Sequence, residues 1–326
     1  MLKGGKCMKH AILIMAHKNV QQISRLVKSV ATPDMDVFIH LDLKMPVTDT
    51  DLKLIKGNNL NVYFTEHRIS GELDKWSLPQ IVLNLINKAY DIEKEENIEY
   101  KYFILLSGQD YPIRNINEIY NFLCESYPKP FIDCNPYAEN TWLSSKFLEY
   151  KYLHKIEKLH ETYKSGFIRK CLVLPIVVGD KISKMLKTSP YKRLTKLGCK
   201  LYGGSTWWIL PRPAIEYIFK QVNLNTKIVK ELKKTWTPDE TFFQIMTMAS
   251  PLCDMVDINP INSGKQNCLT YANFTTPKKG FTGHPHALLK EDYERLMENS
   301  KTYLFARKFD SDVDSGILDL IDKKIS

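Results

Sequence analysis

The stretch His10-Ala-Ile-Leu-Ile-Met-Ala16 is an almost unbroken apolar run, followed at once by polar His17-Lys18-Asn19. Such a run suits a strand buried on both faces. Val20, Ile23, Leu26, Val27 and Val30 then recur at helical spacing until Pro33. Val37-Phe-Ile-His-Leu41 predicts a second buried strand closing on Asp42, and Asn61-Val-Tyr-Phe64 a third. Leu78 to Tyr90 is helical in pattern, and Tyr102-Phe-Ile-Leu-Leu106 is a further buried strand ending in Ser107-Gly108-Gln109-Asp110. Helical periodicity resumes from Ile116 to Leu123. Strands alternating with helices predict an α/β fold, a mostly parallel sheet with helices on both faces. Ligands of such sheets bind beyond the carboxyl ends of the strands. His17, Lys18, Asp42 and Ser107 to Asp110 occupy those ends and are site candidates, although polar loops after strands are common in any case.

Glu139 to Lys200 differs: it is rich in Lys, Tyr and Leu, lacks alternation, and predicts helices and loops. An ordered stretch begins at Tyr202-Gly203-Gly204-Ser205-Thr206-Trp207-Trp208-Ile209-Leu210, and a helix follows over Pro213 to Gln221. Thr237-Pro238-Asp239-Glu240 leads into an apolar helix, Thr241 to Met248, with Thr237 and Asp239 both candidate N-caps. Asp310 to Ser326 predicts a short terminal helix.

Length and composition fit one large globular domain or two intimate ones: 326 residues, 44% hydrophobic and 25% charged. The net charge is +9. Much of it is lysine on helix faces (Lys146, Lys151, Lys155, Lys158, Lys164), read either as a solvated surface or as attraction to an anionic partner. A nucleotide diphosphate, an acidic glycan and a membrane's negative leaflet all qualify. No basic block interleaves with aromatics, which argues against nucleic acid. Seven dispersed cysteines with no C-x-x-C fit reduced thiols in a cytosolic protein better than a disulfide framework or a zinc site. Neither His10 to Ala16 nor Cys171 to Gly179 has the length of a membrane span.

Several residues carry candidate chemistry. Asp239 and Glu240 stand at a predicted helix start, where carboxylates stabilise the helix dipole; a rigidly held carboxylate there also suits a general base. Of two adjacent indoles on a strand, one faces the core and the other faces solvent or a site. Trp207 or Trp208 is thereby available to stack on a sugar, next to a flexible Gly pair. Leu304-Phe305-Ala306-Arg307-Lys308-Phe309 sets two cations inside an apolar run, either solvated or placed to neutralise charge on a leaving group. Asp34-Met-Asp36, Asp310-Ser-Asp312 and Asp312-Val-Asp314 are the acidic pairs. None follows a buried mid-chain strand, so all read as caps or surface rather than as magnesium or manganese ligands. There is no P-loop, no G-x-G-x-x-G after the first strand and no G-x-S-x-G.

Six segments taken together resemble one family. Ala11-Ile-Leu-Ile-Met-Ala-His-Lys18, Phe38-Ile-His-Leu-Asp-Leu-Lys44, Leu105-Leu-Ser-Gly-Gln-Asp-Tyr-Pro-Ile113, Gly204-Ser-Thr-Trp-Trp208, Thr237-Pro-Asp-Glu240 and Leu304-Phe-Ala-Arg-Lys-Phe-Asp310 run in the order found in the branching glycosyltransferases. These comprise the core-2/I-branching β-1,6-N-acetylglucosaminyltransferases and the related peptide O-xylosyltransferases, bacterial members included. The resemblance implies a GT-A-like fold, a UDP-sugar donor, inversion at the anomeric carbon, and no divalent metal or other cofactor. It implies Glu240 as the base and Asp42 as a uridine contact. Lys308 stands as the diphosphate cation, and Trp207 or Trp208, with Asp239, lies on the sugar and acceptor side. His17, Ser107, Gly108 and Asp110 complete the nucleotide-sugar set, with Trp76 the matching residue of the Ser70 to Ser77 segment. The family's second diphosphate-binding cation lies upstream of the lysine motif, where this chain has Gly283-His284-Pro285-His286. His284 or Arg307 is then its replacement.

The organisation expected is one glycosyltransferase domain over 1–326, with a nucleotide-binding half at 9–135, a helical acceptor-side segment at 139–200 and a catalytic half at 201–326. The expected acceptor is a glycan or lipid-linked glycan in surface polysaccharide or glycoconjugate synthesis. The expected location is the cytoplasm, at the inner face of an anionic membrane. A binding module without catalysis and a sugar-nucleotide hydrolase are the alternatives.

Overall fold

The computed structural model describes residues 8–72, 75–138, 143, 174–175, 178, 190–259, 266–276, 280–281 and 285–325. Most of the stretch from Glu139 to Lys200, and with it the expectation of helices there, lies outside the described residues, apart from a helix at Pro190–Lys196.

The first half forms as its pattern predicts. Strand β1 (Lys9–Ala16), helix α1 (Val20–Val30), β2 (Met35–Leu41), β3 (Val62–Phe64) and β4 (Tyr100–Ser107) appear in order. Between β2 and β3 lies α2 (Asp49–Lys56), a helix the apolar pattern does not announce. Its signal is a capping box: Thr48 and Asp51 satisfy each other's backbone N–H. Helix α3 (Ser77–Glu96) outruns its apolar core by two further turns, ending on Asn97 in the left-handed conformation.

The main sheet has the order β3-β2-β1-β4-β9-β6, where β6 is Phe131–Ile132 and β9 is Trp208–Pro211; two short ribbons pair β7 (Asn135–Pro136) with β8 (Tyr202–Gly203) and β11 (Thr275–Thr276) with β12 (Gly280–Phe281). β3, β2, β1 and β4 pair in parallel, while β9 runs antiparallel to both β4 and β6. The sheet is therefore α/β and mostly parallel, with an antiparallel edge. Alternate residues of β1 feed opposite cores. Ala11 and Leu13 pack with Ile81, Leu85 and Ile86 of α3, and Ile12 and Ile14 pack with Ile23, Leu26 and Val27 of α1. All four strand residues are fully buried, which is why the strand reads as an unbroken apolar run.

A smaller sheet decides where the site lies. β5 (Asp110–Pro112) leaves the carboxyl end of β4 after a tight turn and pairs antiparallel with β13 (Phe305–Arg307), which also pairs in parallel with β10 (Thr270–Ala272). The register sets Arg307 opposite Asp110. The terminal helix spans Gly316–Ile325 and starts later than predicted. The Asp310 carbonyl instead accepts the N–H groups of Val313 and Asp314 in a turn. Of the other acidic pairs, Asp36 is not the cap or surface residue expected: it is fully buried, 2.9 Å from Lys9 Nζ, whereas Asp314 caps a turn by accepting the N–H groups of Lys290 and Gly316.

At the opposite end of β1, His10 is fully buried; its Nδ1 accepts the Tyr102 N–H at 3.3 Å, and its Nε2 lies 3.8 Å from Cys124 Sγ. Burial lowers its pKa from 6.5 to about 4, with Asp34 opposing. The folded protein thus holds this imidazole neutral, while the unfolded chain protonates it near pH 6.5. Its stabilisation is complete above that pH and is lost as pH falls toward 4, in total about 3 kcal/mol. Urea unfolding of parent and His10→Gln between pH 7 and pH 4 is expected to show a shallower decline in the variant, the remaining slope belonging to carboxylates common to both.

Candidate active site at the carboxyl ends of the strands

The end of β2 carries Asp42 in a fixed setting. Its backbone N–H donates to Ala16 O at 2.7 Å, tying it to the end of β1. Its carboxylate accepts the N–H of Lys44 at 2.8 Å and that of Gly71 at 2.7 Å. A Cβ at Gly71 would stand 2.8 Å from Leu78 Cδ2 and 3.4 Å from Asp42 Oδ2, so a side chain there would displace Leu78. Arg68 straps the same loop down by donating to Leu41 O at 2.9 Å and to the carbonyls of Asp42 and Met45. His40 adds contacts to Thr65 Oγ1 at 2.9 Å and Ile69 O at 3.0 Å. Sequence reasoning misses Arg68, because nothing local marks an arginine whose partners are carbonyls more than twenty residues away.

His17, one residue beyond the end of β1, is exposed. Desolvation and then the charges of Lys308 and Lys18 lower its pKa, while Asp42 and Asp310 oppose them. His17, Lys18, Asp42, Lys308 and Asp310 therefore share one electrostatic neighbourhood.

The Ser107 to Asp110 turn lies beneath this neighbourhood and faces inward. Ser107 Oγ accepts the Gln109 N–H at 3.1 Å, and Asp110 Oδ2 accepts the Ser107 N–H at 2.5 Å. A Cβ on Gly108 would press on Ala16 and Ile23 at 3.1 and 3.2 Å. Ser107 and Asp110 are buried. Ser107, Gly108 and Asp110 build the floor of the site, because the turn must close against β1 and α1; Asp110 Oδ1 is left without a hydrogen bond among the described residues.

Arg307 is the cation on that floor. Its Nε lies 3.5 Å from Asp110 Oδ1, and its guanidinium stacks 4.0 Å from the centroid of Trp207. Nε and Nη1 are buried and find no hydrogen-bond partner among the described residues. Burial pushes the pKa of Arg307 down and that of Asp110 up, each opposed by the other's charge. Lys308 is partly exposed; burial, Arg307 and Lys18 pull its pKa down, with Asp310 and Asp110 opposing.

Buried Gln22 fixes this strand end. Its Nε2 donates to Gly108 O at 2.8 Å and Phe309 O at 3.1 Å, and its Oε1 accepts the Ser311 N–H and hydroxyl, both at 2.8 Å. A polar residue on a helix's core-facing side is the only sequence signal for it.

Glu240 sits on a 3₁₀ turn, Pro238–Glu240, not on the first turn of the α-helix, which begins at Phe242. Neither Thr237 nor Asp239 caps that helix; Thr237 is itself left-handed, at φ 44°. Asp239 is buried, and its Oδ2 accepts the Thr206 hydroxyl at 2.8 Å. Through that bond it braces the turn that carries Glu240. Glu240 is half-buried, and its Oε2 lies 3.4 Å from the Thr237 hydroxyl.

The Gly203-Gly204 pair matters for space rather than flexibility. A Cβ on Gly204 would fall 2.0 Å from Asp133 O, and one on Gly203 would fall 3.1 Å from Glu240 O and closer still to Leu143. Gly204 N–H donates to Glu240 O at 2.9 Å, and Gln244 Nε2 donates to Ser205 O at 2.7 Å. Asp133 is buried and accepts the N–H groups of Asn267 and Cys268, with Asn259 Nδ2 at 3.4 Å. It is a further support that sequence reasoning misses.

The two indoles separate as strand alternation requires. Trp208 is buried against Phe243 at 5.0 Å, which removes it from the sugar-binding set. Trp207 faces the site over Arg307. Trp76 packs edge-on against Phe242 at 4.8 Å, with Lys233 Nζ 5.2 Å from its ring centroid. It therefore backs the Glu240 segment rather than the Asp42 loop. His284 lies outside the described residues. Among the described residues no three His, Cys, Asp or Glu side chains converge as metal ligands, and no helix is long and apolar enough to cross a membrane.

Comparison with known proteins agrees with this geometry. The Core-2/I-Branching enzyme family matches residues 11–296. Xylosyltransferase 2 of Rattus norvegicus is 24% identical over 327 aligned positions, covering 98% of this chain and 34% of the relative. Xylosyltransferase sqv-6 of Caenorhabditis elegans is 25% identical over 305, covering 91% and 34%. The chain spans about a third of the length of these curated relatives. Its mostly parallel α/β sheet is GT-A-like, as in that family. With the match running from the first strand to the helix before β13, the chain belongs to the Core-2/I-Branching enzyme family.

Proposed function

We propose that this chain is an inverting glycosyltransferase that moves a sugar from a UDP-sugar to a glycan acceptor without a divalent metal. The observation that carries the reading is Arg307. Asp110 supplies a counter-charge 3.5 Å away but no hydrogen bond, so two buried guanidinium nitrogens keep a costly deficit that a bound anion would fill. Lys308 stands next to it, at the strand ends where α/β sheets take nucleotides. A diphosphate supplies the missing acceptors, and Arg307 serves as the second cation beside Lys308. His284 is not needed for that role.

In this reading Glu240 accepts the proton of the acceptor hydroxyl as its oxygen attacks the anomeric carbon. The bond from that carbon to the diphosphate breaks on the opposite side, and its electron pair leaves with UDP. Lys308 and Arg307 stabilise the growing negative charge where other enzymes use a metal ion. Asp42 contacts the uridine, and Trp207 offers its indole to the sugar. Because the relatives named above are xylosyltransferases, xylose joins N-acetylglucosamine among the donor sugars to test first. The net charge of +9 fits an acidic or lipid-linked acceptor, or peripheral contact with an anionic membrane.

Glu240→Gln is expected to bind UDP as the parent does while transfer falls at least about a hundredfold, the usual lower bound for losing a general base. Transfer at the parental rate would remove Glu240 from the role. Lys308→Ala is expected to weaken UDP binding by about tenfold or more in calorimetry. Transfer measured by UDP release with acceptor present is expected to persist in EDTA; abolition by EDTA with recovery on adding manganese would refute the metal-free mechanism.

A further inference from the structure

One more cation borders the same floor. Lys18 follows His17 off the end of β1, and its Nζ lies 2.6 Å from Asp310 Oδ2 and 3.9 Å from Asp312 Oδ2. Asp310 comes two residues after Lys308, on a segment whose flanking main chain at Phe309 and Ser311 is held by Gln22. Asn19 extends the contact by donating to Asp312 Oδ1 at 3.2 Å. The side chains of Lys18 and Asp310 are 38% and 15% exposed, so Lys18 is open to a ligand.

With Lys18 more than a third exposed, solvent screens its side of the pair, and such a bridge adds only modestly to stability. The arrangement also has an electrostatic cost. Lys18 raises the local positive potential felt by both His17 and Lys308, and Arg307 adds to it at Lys308. Like charges gathered at the carboxyl ends of strands form a favourable arrangement only around an anion. Asp110 lies under Arg307 and Asp310 beside Lys18, which leaves Lys308 as the one cation of the three with no carboxylate in ion-pair contact among the described residues. A nucleoside diphosphate carries more charge than one lysine offsets.

We propose that Lys18 is a further diphosphate-binding cation, held ready by Asp310 and shared with the diphosphate when donor binds. This rests on the UDP-sugar reading above. Asp310 is then a positioning residue that competes with the ligand for Lys18.

UDP and uridine titrations separate the outcomes. Lys18→Gln is expected to weaken UDP by about tenfold, the worth of one charge-assisted hydrogen bond, with uridine unchanged. Lys18→Arg is expected to recover most of the loss, and Asp310→Asn, which keeps an oxygen for the Asp312 N–H, to bind UDP more tightly than the parent. Lys18→Gln that binds UDP like the parent, or that loses UDP and uridine equally, overturns the proposal. So does Asp310→Asn weakened as far as Lys18→Gln, since the bridge would then be purely structural. A parent chain that binds UDP while Lys18→Gln is unaffected sinks this inference alone. A parent that binds neither ligand sinks the donor reading and this inference with it.

Discussion

The guanidinium of Arg307 is the constraint around which the site is arranged. A cation taken from water must be compensated, and here the compensation comes from three directions. Asp110 is set opposite it by the β5–β13 register, Trp207 stacks on its face, and two buried nitrogens, Nε and Nη1, are left without a hydrogen-bond partner among the described residues for a ligand to satisfy. The register depends on the turn after β4, which closes only because Gly108 admits Ala16 and Ile23 at van der Waals distance. Gln22 then locks that turn to Phe309 and Ser311 with a fully used side-chain amide. One buried charge thereby couples the first helix, the fourth strand and the last strand of a chain more than three hundred residues long.

Trp207 joins this corner to the carboxylate that is proposed as base. Its loop is bound to the Glu240 turn through the Gly204 N–H and the Thr206 hydroxyl, and to Gln244 of the helix that follows through the Ser205 carbonyl. Asp239 therefore serves Glu240 indirectly, by holding the loop whose indole lies over Arg307. Both glycines of that loop are dictated by approach distance, since the chain passes against the backbones of Asp133 and Glu240. Rigid placement of this kind is what orientation-dependent transfer requires.

Much of the scaffold was legible in advance because parallel strands buried on both faces leave an unmistakable apolar signature. β1, β2 and β4 are of that type, and the residues at their ends fell where such sheets bind ligands. Trp207 and Trp208 could be assigned to opposite faces by alternation, but not to particular faces. Helix α2 escaped the apolar pattern because a single buried residue, Ile55, anchors it. Burial was invisible in the polar residues: Ser107, Asp110 and Asp239 are chemically suited to ligands, and each is buried with an internal hydrogen bond.

The sequence by itself determined the α/β class, the order of the first strands and helices, and the ordered motifs that identify the family. These follow from local periodicity and from short contiguous segments, which need no knowledge of distant partners. The tertiary structure alone decided which of the candidate polar groups face outward, that Arg307 lies buried beside Lys308, and that Lys18 is paired with Asp310. Those facts depend on contacts between residues nearly two hundred to three hundred positions apart, and on the desolvation that such contacts impose.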